Sequence, residues 1–300
     1  MPYLILSLLT IASLSHCQKS TGSISDTVAV PYTQDQFHDY WYTGKAEVAT
    51  YNLKQSRYGE IHDGKAVLIF VTEPFSRSKQ VKLDQPEQAG VDHVTVMKLN
   101  YTKKFTTGIY PYSMMLSSFT PIDSYHHPKT LKLTMSSQEW CGHVFSQMNL
   151  DGKHYNTRSY SYFEQEGDLE TKVDAALLED ELWNRIRLNY KSLPTGNIQV
   201  VPGLFFTRMA HDNLKPLDTT AELIQESDTA TYTLTFPNRK LSISFSAAFP
   251  YHILSWKESY NGLGGKLLTT EAVFDKKLHI DYWSRNKTTD SYLRDSLNLE

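Results

Sequence analysis

The sequence is poor in cysteine. Cys17 and Cys141 are the only two in 300 residues, so a disulfide scaffold is excluded, and a chain of this length can be held by its core alone. Charge of one sign is also missing: 30 Lys and Arg stand against 33 Asp and Glu, a formal net charge of −3. With no basic block either, a general nucleic-acid binder is excluded. The segment Gly262-Leu263-Gly264-Gly265 lacks a Walker lysine and a strand-to-helix context, so it reads as a hairpin turn and not as a phosphate loop. What the chain has in quantity is aromatics, with 19 Tyr, 13 Phe and 5 Trp, which rules out disorder. Tyrosine stands at about twice its usual share.

Residues Tyr3 to Leu14 form an uncharged apolar stretch of 12 residues, followed by Ser15-His16-Cys17. About 20 residues are needed to span a bilayer as a helix, so the stretch reads as the h-region of a secretory signal. Leu14-Ser15-His16-Cys17 resembles the lipobox of bacterial lipoproteins, which implies cleavage before Cys17, diacylation of its thiol and a new N-terminus there. His16 departs from the Gly, Ala or Ser of that pattern, and Met1-Pro2-Tyr3 carries no Lys or Arg. An ordinary cleaved signal is the alternative. The polar stretch Gln18 to Val30 suits a tether between an anchor and a domain. Gln18 is not the Asp that retains enteric lipoproteins in the inner membrane, so the resemblance implies the outer membrane, facing the periplasm. Asn100-Tyr101-Thr102 and Asn286-Lys287-Thr288 match the glycosylation acceptor of a secreted eukaryotic protein, the minor alternative.

Beyond residue 31, period-two alternation recurs at 45–51, 130–135, 231–236 and 241–245, with apolar side chains on one face and Thr, Ser or Lys on the other. This predicts antiparallel strands with one face on a core. The continuous run Ala66–Val71 predicts a strand covered on both faces and ending before Pro74. Turn signals stand at Asp63-Gly64, Asn149 to Gly152, Pro237-Asn238 and Asn261 to Gly265. A weak echo, Tyr110-Pro111-Tyr112 and Phe249-Pro250-Tyr251, reads as two similar edge or corner turns.

One segment reads as helix, from about 174 to 190. Leu178, Leu182 and Ile186 recur every four residues, Asp174 stands at the N-cap, and Glu179, Asp180 and Glu181 precede Arg185, Arg187 and Lys191 in the order the helix dipole favours. The three carboxylates are expected on a solvated face. About six strands on each side of one helix predict a mainly β fold: a large curved antiparallel sheet, half-barrel or open barrel, with one long central helix. The expected organisation is a signal over 1–16, a lipidated Cys17 and tether over 17–30, and a single β-rich domain over 31–300.

The string Ser137-Gln138-Glu139-Trp140-Cys141-Gly142-His143 is the most chemically loaded. On one strand Cys141 and His143 would share a face, about 6.5–7 Å apart, too far for a hydrogen bond without a bulge at Gly142. A nucleophile centred on Cys141 and His143, with Glu139, is one reading; a buried strand cysteine is the other. His126-His127 points to opposite sides of an extended chain, so no metal site is expected, nor any cofactor. Tyr40, Trp41 and Tyr42, and Tyr110 and Tyr112, gather at strand ends; with Trp140 they are the candidate binding residues. Tyrosines inside strands, Tyr51, Tyr101, Tyr160, Tyr162 and Tyr232, are expected to lay a ring on the sheet with the hydroxyl in water.

The strings Tyr40 to Glu47, Tyr58-Gly59-Glu60, Phe70 to Phe75, Thr107 to Met115, Gln138 to His143 and Leu193 to Gly196 resemble an uncharacterised family of Gram-negative bacterial lipoproteins often labelled "septum formation inhibitor Maf". The chain has no Ser-x-Ser-Pro-Arg-Arg type motif of Maf nucleotide pyrophosphatases, and the resemblance implies no catalytic residue. It implies an envelope lipoprotein held to the membrane through its N-terminal lipid. A non-enzymatic binding role for an apolar or amphipathic ligand, or a protein partner, in the hollow of the sheet is the leading expectation. A Cys-dependent hydrolase or transferase, a structural subunit and sugar recognition by exposed aromatics are the others.

Overall fold

The alternating segments form strands in the computed structural model, which describes residues 32–262 and 265–299. The signal, Cys17 and the tether lie outside the described residues. The first half of the chain is β1 (Ala46–Arg57), β2 (Glu60–Ser76), β3 (His93–Thr107), β4 (Tyr110–Pro121), β5 (Lys132–Glu139), β6 (Gly142–Asp151), β7 (His154–Ser161) and β8 (Leu169–Asp174). The second half is β9 (Leu177–Leu178), β10 (Gly196–Val201), β11 (Leu217–Glu226), β12 (Thr229–Phe236), β13 (Arg239–Ser246), β14 (Ile253–Asn261) and β15 (Leu267–Ile280). Helices are short: α1 (Gln34–Trp41), α2 (Leu182–Asn189), α3 (Leu204–Ala210) and α4 (Tyr292–Ser296). None is long and apolar enough to cross a membrane.

All fifteen strands belong to one sheet in the order 8-7-6-5-4-3-2-1-15-14-13-12-11-10-9. Each strand pairs with its sequence neighbour, and β1 closes on β15, with Glu47 opposite Phe70 on one side and His279 on the other. The one pairing missing from a complete ring is β8 with β9. These two edges are joined by Ala175-Ala176 alone, and three Cα steps from Asp174 to Leu177 keep them within about 11 Å there. The sheet is an open barrel whose two edge strands come together at this connection.

Because every hairpin reverses direction, the turns after β1, β3, β5 and β7 gather at one end, called upper here, and those after β2, β4 and β6 at the other, the lower end. Asp63-Gly64 is not a turn. It lies within β2, where a Cβ on Gly64 would sit 2.3 Å from the carbonyl oxygen of Lys104 and 2.8 Å from Cβ of Phe105, so the glycine serves a close backbone approach. β2 also runs through Pro74, opposite Thr95, to Ser76. The two aromatic-Pro-Tyr strings are not equivalent: Pro111 opens a central strand at the upper end, while Pro250 lies in the β13–β14 connection at the lower end.

The long helix over 174–190 is corrected to eight residues. Asp174 ends β8, Leu177-Leu178 pair in parallel with Val200-Val201, Glu179–Glu181 make a 3-10 turn, and only then does α2 begin. The apolar spacing that suggested one helix is genuine, but its first half is drawn into the sheet edge. α2 also crosses the barrel interior, so it is buried on more than one face: Trp183, Asn184 and Arg187 are as inaccessible as Leu182 and Ile186. Asn184 donates to the carbonyl oxygen of Met97 and Oγ1 of Thr120, both at 3.0 Å. Burial also overturns the solvated face expected for Glu179, Asp180 and Glu181, which are all buried. Each has a partner: Arg239 for Glu179, the Leu204 amide at 2.8 Å for Asp180, and Arg185 at 2.9 Å for Glu181.

The hollow is therefore full. Trp183, Trp256, Tyr101 and Tyr51 pack ring on ring with centroids 4.8–5.4 Å apart, and α3 lays Phe205 5.0 Å from Tyr101 beneath the upper mouth. The space left among Lys103, Asp180, Trp183 and Trp256 is about 20 Å³, room for one water. Tyr51, Tyr101 and Tyr232 are buried here and do not wet their hydroxyls; Tyr51 donates to Ile253 and Tyr232 to Pro194, at 3.0 and 2.7 Å. Only Tyr160 and Tyr162 of the expected set are exposed.

Candidate functional site

The meander sorts the predicted residues between the two ends. Glu139, Trp140, Cys141, His143, Tyr110 and Tyr112 come to the upper rim, and Trp41 and Tyr42, on and just after α1, to the lower one.

At the upper rim three phenols form a relay. The β1–β2 hairpin turns on Tyr58-Gly59, both with positive φ, which a turn with Gly at its second position accommodates. This places the Tyr58 hydroxyl 2.9 Å from that of Tyr110, which donates to it, and 2.7 Å from that of Tyr112. Arg57 lies 4.4 Å from the Tyr58 ring centroid and reaches the Tyr112 hydroxyl at 3.4 Å and the carbonyl of Met209 in α3 at 2.5 Å. Burial raises the Tyr58 phenol, but hydrogen bonds from Tyr110 and Tyr112 and the charge of Arg57 outweigh it and leave it lowered. Tyr112 moves the other way, well up, through burial first and then its bonds to Tyr58 and Glu139. Phe105 stacks beneath Tyr112 at 4.7 Å.

Below the relay lies an ion pair. Glu139 points inward from the end of β5 and accepts from Nη2 of Arg208 in α3 at 2.5 Å. Arg208 is buried, 4.3 Å from the Phe163 ring centroid; its Nε and Nη1 make no hydrogen bond, although Nη1 stands 3.9 Å from the carboxylate of Glu166 as an ion pair. Glu166, from the β7–β8 connection, accepts from His211 at 2.5 Å. Above this base the rings are open to solvent: Trp140 is 68% exposed, 6.4 Å from Tyr110 and near-parallel to it, and Tyr162 packs against Gly142. Tyr58, Tyr110, Trp140 and Tyr162 come from four consecutive hairpins, spaced about 10 Å apart at two strand widths each.

The thiol and its expected partners are not assembled. Cys141 is exposed in the Trp140-Cys141 turn and not buried in a strand. His143 pairs with Gln138 on the outer face, and Glu139 pairs with Gly142 on the inner face, so the two flank opposite sides of one hairpin. Among the described residues no group of three or more His, Cys, Asp or Glu is placed to hold a metal. Arg57, Arg208 and Glu166 were not anticipated. The two-residue Tyr58-Gly59 turn between alternating runs is the signal that could have found Arg57; a seven-residue helix carrying Arg208 gives none.

At the lower rim Trp41 and Tyr42 line a depression of about 310 Å³ with Lys45, Lys82, Glu73 and Trp283. Another depression, of about 510 Å³, lies on β10–β12, away from every predicted residue, and its polar groups satisfy one another: Gln199 with Asp218, and Thr220 with Asn197 at 3.2 Å.

No family model and no curated protein sequence matches the chain. Among solved structures, a beta-barrel-like protein of a domain of unknown function, DUF1849, from Brucella abortus is similar over 79% of this chain and 98% of that one, with 7% identity and a TM-score of 0.46. At that distance nothing about function transfers.

Proposed function

We propose that the protein is an exported lipoprotein of the cell envelope, anchored through Cys17 to the outer membrane, with a non-enzymatic recognition role carried by the upper rim. The lipobox-like run, the polar tether and the family resemblance support the anchor. The observation that carries recognition is the row of exposed rings over the Tyr58-Tyr110-Tyr112 relay, set on a buried arginine that still has donors to offer. The filled interior speaks against a ligand in the hollow, where one was expected, and supports the rim as the surface to test.

Flat rings beside hydroxyls and a guanidinium match a saccharide chain, whose C–H faces stack on aromatics while its hydroxyls exchange hydrogen bonds. Titration calorimetry with soluble fragments of envelope glycans is expected to give binding that Trp140→Ala and Tyr110→Phe weaken. Heat from amphipathic lipids but not from glycans, or glycan binding indifferent to Trp140, would refute the reading.

A further inference from the structure

The lower rim carries a second, chemically different depression. Two lysines meet one carboxylate beside it, Lys98 at 3.0 Å and Lys82 at 3.9 Å from Glu73, while Lys45, which lines the depression with Lys82, makes no ion pair among the described residues. Trp41 lines the wall, and its buried Nε1–H has no acceptor. Tyr42 and Trp283, each nearly half exposed, flank the opening. An unmatched ammonium and a second lysine at the opening call for an oxygen-rich anion, and the exposed rings call for an apolar neighbour. Rings and lysines together at one margin are what the interfacial zone of a bilayer selects.

The position agrees. Tyr32, the first described residue, packs at this same end against Phe37 and Phe249, with ring centroids 5.3 and 5.0 Å away. Cys17 precedes it by 15 residues, a reach of about 50 Å at full extension. An anchor at Cys17 therefore joins the barrel at this rim.

We infer that the depression between Tyr42, Lys45, Lys82 and Trp283 takes the phosphate-bearing headgroup of an anionic bilayer lipid, so that the lower rim lies on the membrane and the upper rim faces away. The inference rests on the membrane-anchor part of the proposed function. The test uses the purified protein in the N-terminal form that cells produce, mixed with vesicles of phosphatidylglycerol and phosphatidylcholine in equal parts or of phosphatidylcholine alone. Amine acetylation is then read lysine by lysine by mass spectrometry. Lys45 and Lys82 are expected to be protected at least about fivefold by the anionic vesicles, with the outer-face residues Lys54 and Lys257 labelled equally in both.

A Lys45→Glu/Lys82→Glu double variant, changing two exposed residues, is expected to fold normally and to float less well with anionic vesicles. Equal labelling of Lys45 in both vesicle types overturns the inference, as does equal protection by inorganic phosphate alone, which would make this a soluble-anion site. The intact mass separates the two claims. An acylated protein with unprotected Lys45 removes the headgroup site and keeps the anchor, whereas an unacylated protein that floats in a Lys45-dependent way does the reverse.

Discussion

At the lower end of the barrel Arg187, fully buried, gives Nη1 and Nη2 to the two oxygens of Glu47 at 2.6 and 2.8 Å and Nε to the carbonyl of Pro250 at 2.7 Å, between the rings of Trp41 and Phe70. At the upper end Arg208 is nearly as buried but makes one such bond, to Glu139, and leaves Nε and Nη1 without acceptors. Both ends therefore close on a buried guanidinium under aromatics, and only one of them is saturated. A saturated pair is a structural rivet. An unsaturated one, roofed by exposed rings, is the feature on which the proposed recognition role of the upper rim rests.

The largest expected effect tests the rivet. Arg187→Ala strands Glu47 in the interior without its cation and is expected to cost about 3–5 kcal/mol in denaturant unfolding. Arg208→Ala is expected to cost less, about 1–3 kcal/mol, because the deletion also removes two unsatisfied donors. Equal losses would erase the contrast between the ends.

A third measurement isolates the upper closure. Asp180 accepts from the first amide of α3, and burial, reinforced by the neighbouring Glu179, pushes its carboxyl up to about 8. The native state then holds this proton from about pH 4, the unfolded value, to about pH 8. The penalty for ionising inside is absent below that window and complete above it, so stability falls as pH rises through it, by about 1.4 kcal/mol for each pH unit. Asp180→Asn keeps an acceptor for Leu204 and is expected to flatten the Tm profile between pH 4 and 8; an unchanged slope would place the proton elsewhere. Smallest in stability is Trp140→Ala, within about 0.5 kcal/mol of the parent for so exposed a ring, yet expected to weaken rim binding.

Strand alternation made the β class and the curved sheet readable, and Pro237-Asn238 duly turns β12 into β13. Legibility failed where three-dimensional context outvotes local pattern. Leu177-Leu178 carry helical spacing but meet a free strand edge; Glu179–Glu181 look like a dipole-matched helix start but are enclosed by the barrel; Gly64 looks like a turn but yields to a neighbouring strand. That Tyr110, Tyr112 and Trp140 stand at strand ends was readable because aromatics beside turn signals are visible in one dimension. Their division from Trp41 and Tyr42 was not, since which end a hairpin occupies depends on counting every reversal before it. Arg208, a lone cation in a short helix, meets Glu139 only through the fold.

The pairing of β1 with β15 fixes an order of assembly. Neighbouring hairpins of either half can zip as they emerge, but Ala46–Lys54 waits for partners at 271–280, more than 200 residues later. Until the last strand arrives, β1 and β14 each expose an unpaired edge, the kind of surface that recruits other chains. A chain lacking β15 would therefore bare two further margins, at β1 and β14, besides the β8 and β9 edges that the finished sheet keeps among the described residues and that two alanines tie together.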